Sequence, residues 1–496
     1  MTKRILSLLL ASLMLLSVVA CSSKKENGET TTGGDIVLEE NDINPNLDPI
    51  DGGGKTLKIL TREHEVTANY WYAELSAADD DMGNAVAEKV YTRDSQIASK
   101  YNVELERKAI NYNQIASTID IQINSMLDSD EGYQIVLPML VHAFNMASSG
   151  YCYSIDALEL IDPDKPYWRG DIYNATTIKG KNYFISGDIN TSVYGSSWVT
   201  FFNEEIVTAN GIENPYDIVK SGAWTIDKML ELSRNFGGDG GDGIYDNTDN
   251  YAICSGTWVW QCFMYGSGLK FVDKDSEDVP FIATADASRK ETIMSVLSKT
   301  VEIMNDSSLA INANKAGLSS QPSQLFCQGQ VLFYLANVNN AFVKADIKDM
   351  AQEYGVLPLP KLDQNQKQYS NAVHPHHSST IIVPRNINED SLDLISSVLE
   401  DMAYYSYELV KPVYYNNVIT HRSVRNAESY EMMQYIFENF NIDFGLIMTD
   451  TFGFDTEIRN KISTNDINFS SYLSGYTSLW QLALDDITEA YGKDNG

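Results

Sequence analysis

The chain has 496 residues, which suggests two or three domains at about 100–200 residues each. Hydrophobic residues make up 43% and charged residues 21%, so the composition is that of a globular protein and excludes a disordered or low-complexity chain. The formal net charge is −32. Such a surface repels phosphate backbones and anionic lipid headgroups, so nucleic acid is excluded as an expected partner.

The first twenty residues have the pattern of a signal peptide. Lys3 and Arg4 form a positive start, and residues 5–20 are apolar or small, a stretch too short for a membrane-spanning helix. The run ends at Ala20 and Cys21, and its last residues resemble a bacterial lipobox, whose cysteine becomes the lipidated first residue of the mature protein. We expect residues 1–20 to be removed and Cys21 to anchor an extracytoplasmic protein to the cell membrane. Cleavage by an ordinary signal peptidase near Ala20 is the alternative.

Residues 21–54 are predicted to form a disordered tether after the lipidated N-terminus. They are rich in Thr, Gly, Asn, Glu and Asp and have no apolar periodicity. No later segment approaches about 18 uninterrupted apolar residues, so we expect the lipid to be the only anchor.

The four remaining cysteines show no metal or redox spacing, and a chain of this size does not need disulfides to fold. We therefore expect mostly small buried residues. A pair between Cys254 and Cys262 across a turn is the alternative that the spacing leaves open. The four are Cys152, Cys254, Cys262 and Cys327.

Residues 56–138 alternate between strand and helix patterns. Residues 56–60, 103–106 and 133–138 are short apolar or alternating runs typical of strands. The two segments between them have apolar residues at helical spacing. This βαβαβ order predicts a parallel α/β sheet. Ligands of such sheets lie beyond the carboxyl ends of the strands, which directs attention to residues 61–64 and 138–142.

A second pattern runs from Gly195 to Leu232. A strand ending in Phe201-Phe202-Asn203 precedes a helix, a glycine and a proline, and Thr225 then can cap a further helix. This order resembles the family 1 extracellular solute-binding proteins, the substrate-binding lipoproteins of carbohydrate-type ABC importers. The match departs at Trp224-Thr225, whose order is reversed, with an isoleucine before the aspartate.

Three more stretches follow the order of that family. They are residues 133–158, with Gln134 in place of an aspartate, residues 326–334, and residues 354–361. The resemblance implies an α/β, two-lobe, periplasmic-binding-protein-like fold of type II with an interlobe cleft. It implies a first lobe of residues 55–195, a second of 203–373, parts of 381–496 in each, and crossings near 196–202 and 374–382.

Sequence motifs favour binding over catalysis. No GxSxG, HExxH, GxxxxGK[ST] or spaced Cys/His motif occurs, so we expect no enzyme. The resemblance implies a monomeric receptor that delivers a carbohydrate, most plausibly an oligosaccharide, to an ABC permease by lobe closure. The alternatives are a surface glycan-hydrolysing lipoprotein, which needs two cleft carboxylates about 5–9.5 Å apart, and a receptor of the same fold for a non-sugar ligand.

Aromatic rings are the first candidates for ligand contacts, because they offer flat apolar faces to sugar C–H groups. Trp198 lies in the predicted first crossing. Trp258 and Trp260 flank Val259, and an extended chain would direct both to one side. Tyr70 and Trp71 follow the first strand. Core packing is the alternative for each of the tryptophans, and a local surface cluster for Tyr70 and Trp71. Trp224 is expected to be structural.

Polar candidates lie at strand ends and at the predicted return crossing. Glu63 and His64 follow the first strand, and Asn337 follows a later one, where the family often has a ligand-facing residue. His374 and His376 could bind ligand or backbone, or coordinate a transition metal. The predicted ligand-binding residues are Glu63, His64, Tyr70, Trp71, Trp198, Trp258, Trp260, Asn337, His374 and His376.

One acidic, glycine-rich stretch resembles a calcium loop. Asp242, Asp246 and Asp249 fit the fifth, ninth and twelfth positions, but glycines occupy the first and third. A plain acidic turn is the favoured alternative. Apart from this possible calcium, we expect no cofactor.

Overall fold

A three-stranded parallel sheet is built from the first part of the chain. Its strands are β1 (Lys55–Arg62), β2 (Val103–Ile110) and β3 (Ile135–Val136), in the order β2-β1-β3. Helices α1 (Ala85–Tyr101) and α2 (Ile115–Asn124) connect them. The predicted βαβαβ unit is confirmed. Leu57, Ile59 and Leu60 of β1 are buried, as expected for a parallel sheet covered on both faces.

The computed structural model describes most of the chain as one compact unit that begins at Ile43. The described residues are 43–63, 74–75, 85–125, 132–234, 236–312, 322–339, 347, 350–420 and 427–492. The predicted signal peptide, Cys21 and the first part of the tether lie outside them.

The last twelve residues assigned to the tether are ordered on the first lobe, contrary to the prediction. The Gly52 amide donates to the carbonyl of Tyr101 over 2.7 Å, and Gly54 donates to Asn102 over 2.8 Å. A Cβ on Gly52 would lie 2.3 Å from Val103. Gly52 is therefore needed for the close approach of this segment to β2, and Gly53 and Gly54 have positive φ angles that favour glycine.

Two later segments extend the first sheet. Ile382 bridges to Val136 in antiparallel sense, and Ile381 bridges to Ile185. Helix α3 (Leu140–Ser148) follows β3 directly and is largely buried. The returning chain therefore lies between β3 and the segment around residue 185.

A five-stranded mixed sheet forms the second lobe. Its order is β10-β4-β9-β5-β8, with β4 antiparallel to both neighbours and β5 parallel to both of its neighbours. β6 and β7 form a separate antiparallel pair. The strands are β4 (Trp198–Asn203), β5 (Tyr251–Ser255), β6 (Val272–Lys274), β7 (Pro280–Ile282), β8 (Ala310–Asn312), β9 (Val331–Asn337) and β10 (Tyr354–Leu357).

The middle of the chain carries further helices; two of them precede β4, and most of those that follow β4 contact this sheet. They are α4 (Gly170–Thr176), α5 (Thr191–Gly195), α6 (Glu204–Ala209), α7 (Pro215–Lys220), α8 (Ile226–Ser233), α9 (Val259–Gly266), α10 (Ala287–Asn305) and α11 (Pro322–Cys327). The Thr225 side chain accepts from the Lys228 amide over 3.1 Å, which confirms the predicted cap of α8. Trp224 is fully buried and donates to the Pro358 carbonyl over 3.0 Å, so its structural role is also confirmed.

The C-terminal helices are divided between the lobes. Helix α12 packs on α1 of the first lobe, α14 packs on β10 of the second, and α17 packs on α10. They are α12 (Leu392–Tyr405), α13 (Lys411–Thr420), α14 (Ala427–Glu438), α15 (Phe444–Ile447), α16 (Thr449–Phe452), α17 (Phe454–Thr464) and α18 (Ser470–Gly492).

Helix α18 contacts both lobes. At its middle, Gln481 accepts from the Ile282 amide over 2.9 Å. At its C-terminal end, the Tyr491 carbonyl accepts from the Tyr183 hydroxyl over 3.0 Å, and the Tyr491 ring stacks on Phe144 with centroids 5.8 Å apart. One helix therefore joins β7 of the second lobe to α3 of the first.

None of the four described cysteines forms a disulfide, so the possible pair between Cys254 and Cys262 is not formed. Both residues are fully buried, Cys254 in β5 and Cys262 in α9. Burial raises the pKa of the Cys254 thiol to about 12, so this thiol stays protonated at neutral pH.

Candidate functional site

The two chain segments that pass between the lobes lie side by side. Ile185 belongs to the first sheet and Trp198 to the second, so the first passage precedes β4. The return passage meets it where Val373 bridges to Ser197 and the His374 amide donates to Ser196 over 3.2 Å. Side chains on these two passages are therefore placed to contact a ligand that binds between the lobes.

A buried carboxylate ties both passages to the end of β1. Glu74 pairs with Arg62 over 2.9 Å, and both side chains are almost completely buried. The same carboxylate accepts from the Ser192 amide over 3.2 Å and from the hydroxyls of Ser192 and Ser379. Ser192 lies on the first passage and Ser379 on the return, so one anion fixes their mutual position.

Two stacked indole rings stand at the start of the second lobe. Trp198 begins β4, and Trp258 immediately precedes α9, with ring centroids 6.4 Å apart and planes inclined by 18°. The Trp198 nitrogen donates to Gln261 over 3.1 Å. The Trp258 nitrogen is buried and has no hydrogen-bond partner among the described residues.

Asp455, the second residue of α17, holds the Gln261 side chain that accepts from Trp198. It accepts from the Trp260 nitrogen over 3.0 Å, from the Gln261 amide over 3.3 Å and from Arg459 over 2.9 Å. Because the Gln261 amide is held by Asp455, its oxygen is directed at Trp198. The position of Trp198 therefore depends on a carboxylate from the C-terminal helices.

Histidines of the return passage adjoin the indoles. The His374 ring lies 5.7 Å from Trp198, 4.0 Å from His377 and 5.8 Å from His376. Burial and the neighbouring imidazoles hold the pKa of His374 well below its usual range, and they lower the pKa of His377 to about 3. At neutral pH these rings are uncharged, so each offers one donor and one acceptor nitrogen.

His142 of α3 approaches the same region from the first lobe. Its ring stacks on Tyr112 with centroids 6.3 Å apart. Burial is the main cause that lowers the pKa of His142, and repulsion from the protonated form of His376 lowers it further. The Nδ1 atoms of His142 and His374 have no partner among the described residues. We call His142, Trp198, Trp258, His374 and His376 the crossing cluster.

Two of the predicted ligand contacts are buried and bonded to other parts of the protein. Trp260 is fully buried, and its ring meets Phe271 and Phe454 at centroid distances of 6.1 Å. The segment is helical, so residues two positions apart point in different directions, and Trp260 enters the core while Trp258 does not. Asn337 is the last residue of β9, is 4% exposed, and donates to the Ser196 carbonyl over 2.8 Å. It supports the first passage.

The remaining candidates divide into three groups. Trp198, Trp258, His374 and His376 lie together in the crossing cluster. Glu63 has an exposed carboxylate after β1 and donates its amide to Ile110 over 2.7 Å. The predictions for His64, Tyr70 and Trp71 lie outside the described residues.

Sequence reasoning did not select three side chains that form or support the crossing cluster. His142 falls within residues 138–142, to which the sheet-edge argument directed attention without choosing this residue. Gln261 and Asp455 had no local signal, because their roles depend on a contact between positions 194 residues apart.

The acidic loop forms a turn held by its own backbone. Asp249 accepts from the amides of Gly240 and Asp246 over 2.6 and 2.7 Å, and Asp242 accepts from Ile244 over 2.8 Å. Asp246 accepts from both the amide and the hydroxyl of a threonine two residues on. Within the described ranges, no group of three or more His, Cys, Asp or Glu side chains is placed to hold a metal ion. The geometry matches the plain acidic turn.

Several solved structures with a similar fold are sugar-binding or sugar-transport proteins. A sugar transporter protein from Rhizobium etli in an open conformation aligns with a TM-score of 0.55 and 15% identity, covering 88% of this chain and 99% of that chain. The cyclo/maltodextrin-binding protein complexed with maltotetraose gives a TM-score of 0.55 at 11% identity, with 89% and 97% covered. The chain has the fold of ABC solute-binding proteins.

The galacto-N-biose-/lacto-N-biose I-binding protein of an ABC transporter from Bifidobacterium longum also has a similar fold. That match has a TM-score of 0.54 and 11% identity, over 89% of this chain and 99% of that chain. At such identities the likeness concerns the fold. No protein-family model matches the sequence, and no curated protein does. None of the helices in the described part of the chain is both long and apolar enough to cross a membrane.

Proposed function

We propose that this protein is an extracytoplasmic receptor that binds a carbohydrate, an oligosaccharide in particular, and delivers it to an ABC permease. The observation that carries the proposal is the crossing cluster: a half-buried indole with an unpartnered nitrogen stands beside uncharged imidazoles where the chain passes between the lobes. The solute-binding fold supports this reading.

The chemistry of the cluster suits an uncharged, hydroxyl-rich ligand. The face of Trp258 offers an apolar platform for the C–H groups of a sugar ring, and its nitrogen offers a donor. The imidazoles of His374 and His142 offer acceptors and donors to hydroxyls. A buried polar atom without a partner costs about 1–3 kcal/mol, and a ligand that satisfies it recovers that free energy.

Lobe closure is the proposed working motion. A ligand between the lobes contacts His142 from one side and Trp258 from the other, which favours the closed population over the open one. A permease could then distinguish loaded from empty receptor by the lobe arrangement. Anchoring at Cys21 would hold the receptor at the membrane surface.

The first experiment is a thermal-shift and calorimetric screen of residues 22–496 against neutral mono- and oligosaccharides, with peptides and polyamines as comparison ligands. At about 100 dissociation constants of ligand, binding should stabilise the protein by about 2.7 kcal/mol. A response to another ligand class with none to sugars would refute the carbohydrate assignment. Product release from a bound glycan would instead favour the hydrolase.

Substitution then locates the binding site. Trp258→Ala should weaken glycan binding by about 2 kcal/mol, or roughly 30-fold, because a buried tryptophan in the centre of a contact is a typical hot spot. Tyr91→Ala removes an aromatic ring that is 55% exposed on α1 and serves as the matched control. Equal affinity of both variants for the glycan would exclude the crossing cluster as the site.

A further inference from the structure

Gly256 lies in the turn between β5 and α9, directly under the Trp258 indole. A Cβ built on this glycine would lie 2.2, 2.3 and 2.4 Å from Cζ3, Cη2 and Cε3 of Trp258. All three atoms belong to the six-membered part of the indole. Its backbone conformation is one that other residues adopt, so the Trp258 ring is the obstacle to a side chain here.

The backbone at Gly256 is fixed on both sides. Ser255, the last residue of β5, pairs with Asn312 of β8, and its hydroxyl donates to the Leu335 carbonyl over 3.0 Å. The Gly256 carbonyl accepts from the Val259 amide over 3.1 Å and so belongs to the start of α9. An added methyl group would therefore displace the indole rather than the backbone.

Displacing the indole changes the crossing cluster in two respects. The near-parallel stack of Trp258 on Trp198, with centroids 6.4 Å apart, would be disturbed. The Trp258 nitrogen would also point in a new direction, and the ring would move away from the backbone into the space above it. Both the apolar platform and the donor depend on the absence of one carbon atom at position 256.

We propose that Gly256 is a positioning residue for ligand recognition: by lacking a side chain, it seats the Trp258 ring against the backbone and sets the depth of the platform on which a sugar ring stacks. The part that concerns ligand rests on the proposed function. The part that concerns the ring position can be measured without ligand.

The test uses Gly256→Ala in the full mature chain, alone and combined with Trp258→Ala. In the unliganded protein, Gly256→Ala should change the near-ultraviolet circular dichroism of the stacked indole pair, whereas it should leave the spectrum of the Trp258→Ala protein unchanged. With the glycan bound by the unsubstituted protein, Gly256→Ala should lower affinity about 10-fold or more, and it should cause no further loss in the Trp258→Ala background.

Three results would overturn the proposal. The first is an unchanged spectrum and an unchanged affinity in Gly256→Ala, which would mean that the glycine has no effect on the ring. The second is an equal loss of affinity with and without Trp258→Ala, and the third is failure of both the single and the double variant to fold. Either of these two would show that the substitution acts on the backbone and not through the Trp258 ring. Failure of Gly256→Ala alone, with the double variant folded, would support the steric contact with the ring. If no sugar binds the unsubstituted protein, the proposed function fails, while the spectra still decide the role of Gly256.

Discussion

Glu400 should make the stability of the first lobe depend on pH. Its carboxylate lies in α12 with the side chain 1% exposed, and it accepts from the Tyr167 hydroxyl over 2.5 Å and from the Trp168 nitrogen over 2.7 Å. The Asp162 amide donates to it over 3.2 Å. Burial outweighs these hydrogen bonds and raises the pKa of Glu400 from 4.5 to about 7.

The sign and size of the effect follow from the two pKa values. Since the folded protein holds this proton more tightly than the unfolded chain, the stabilisation is fully present below pH 4.5 and is lost as the pH rises through about 7. The interval is about 2.5 pH units, and at about 1.36 kcal/mol per unit the loss is about 3 kcal/mol. Glu400→Gln cannot ionise, so the variant should lack this loss.

Urea unfolding between pH 4.5 and pH 8 measures the effect. The free energy of unfolding of the unsubstituted protein minus that of Glu400→Gln should fall by about 3 kcal/mol across this range. Other titrating groups are common to both proteins and cancel in the difference. Glu88→Gln, at an exposed position of α1, is the matched control and should show a small, constant difference. A constant difference for Glu400→Gln as well would refute the reasoning.

Three further changes test other parts of the structure. Asp455→Ala removes the acceptor of the buried Trp260 nitrogen and of the Gln261 amide, so it should lower the free energy of unfolding in urea by about 1–3 kcal/mol. Asp455→Asn keeps an acceptor oxygen and should lower it less; equal losses in the two variants would contradict this role. Thr225→Ala should cost about 1 kcal/mol by loss of the α8 cap, and Thr225→Ser should cost less; no loss in the alanine protein would contradict the cap. His377 should contribute a loss of stability as the pH falls from 6.5 towards 3, because burial lowers its pKa in the folded state. The free energy of unfolding of the unsubstituted protein minus that of His377→Gln should therefore fall over this range in acid unfolding, and a constant difference would argue against it.

Local patterns predicted the elements of the fold well. The βαβαβ unit depends on the sequence spacing of apolar residues within each segment. The α8 cap depends on Thr225, whose side chain accepts from the amide of Lys228 three residues later. Trp224 packs where a local helix start requires it. Such features need no information from distant parts of the chain.

The candidate site was only partly predictable, because its geometry depends on long-range contacts. The sequence around Trp258 was interpreted as extended, but α9 begins at Val259, and its packing against β9 and the contact of Trp260 with α17 bury Trp260 more completely than Trp258. Asp455 reaches this region from the C-terminal helices, for which no motif exists. The ordered segment at residues 43–54 was missed since glycine indicates both flexibility and close packing.

The helix that joins the lobes limits how they can move. With 23 residues, α18 is about 35 Å long and acts as a stiff rod. The Tyr491 ring holds its C-terminal end against Phe144, and the hydroxyl of Thr477 pairs with that of Thr284 nearer its start. We therefore expect the proposed lobe closure to pivot near Tyr491, and deletion of the last helical turn should change that motion while leaving both sheets intact.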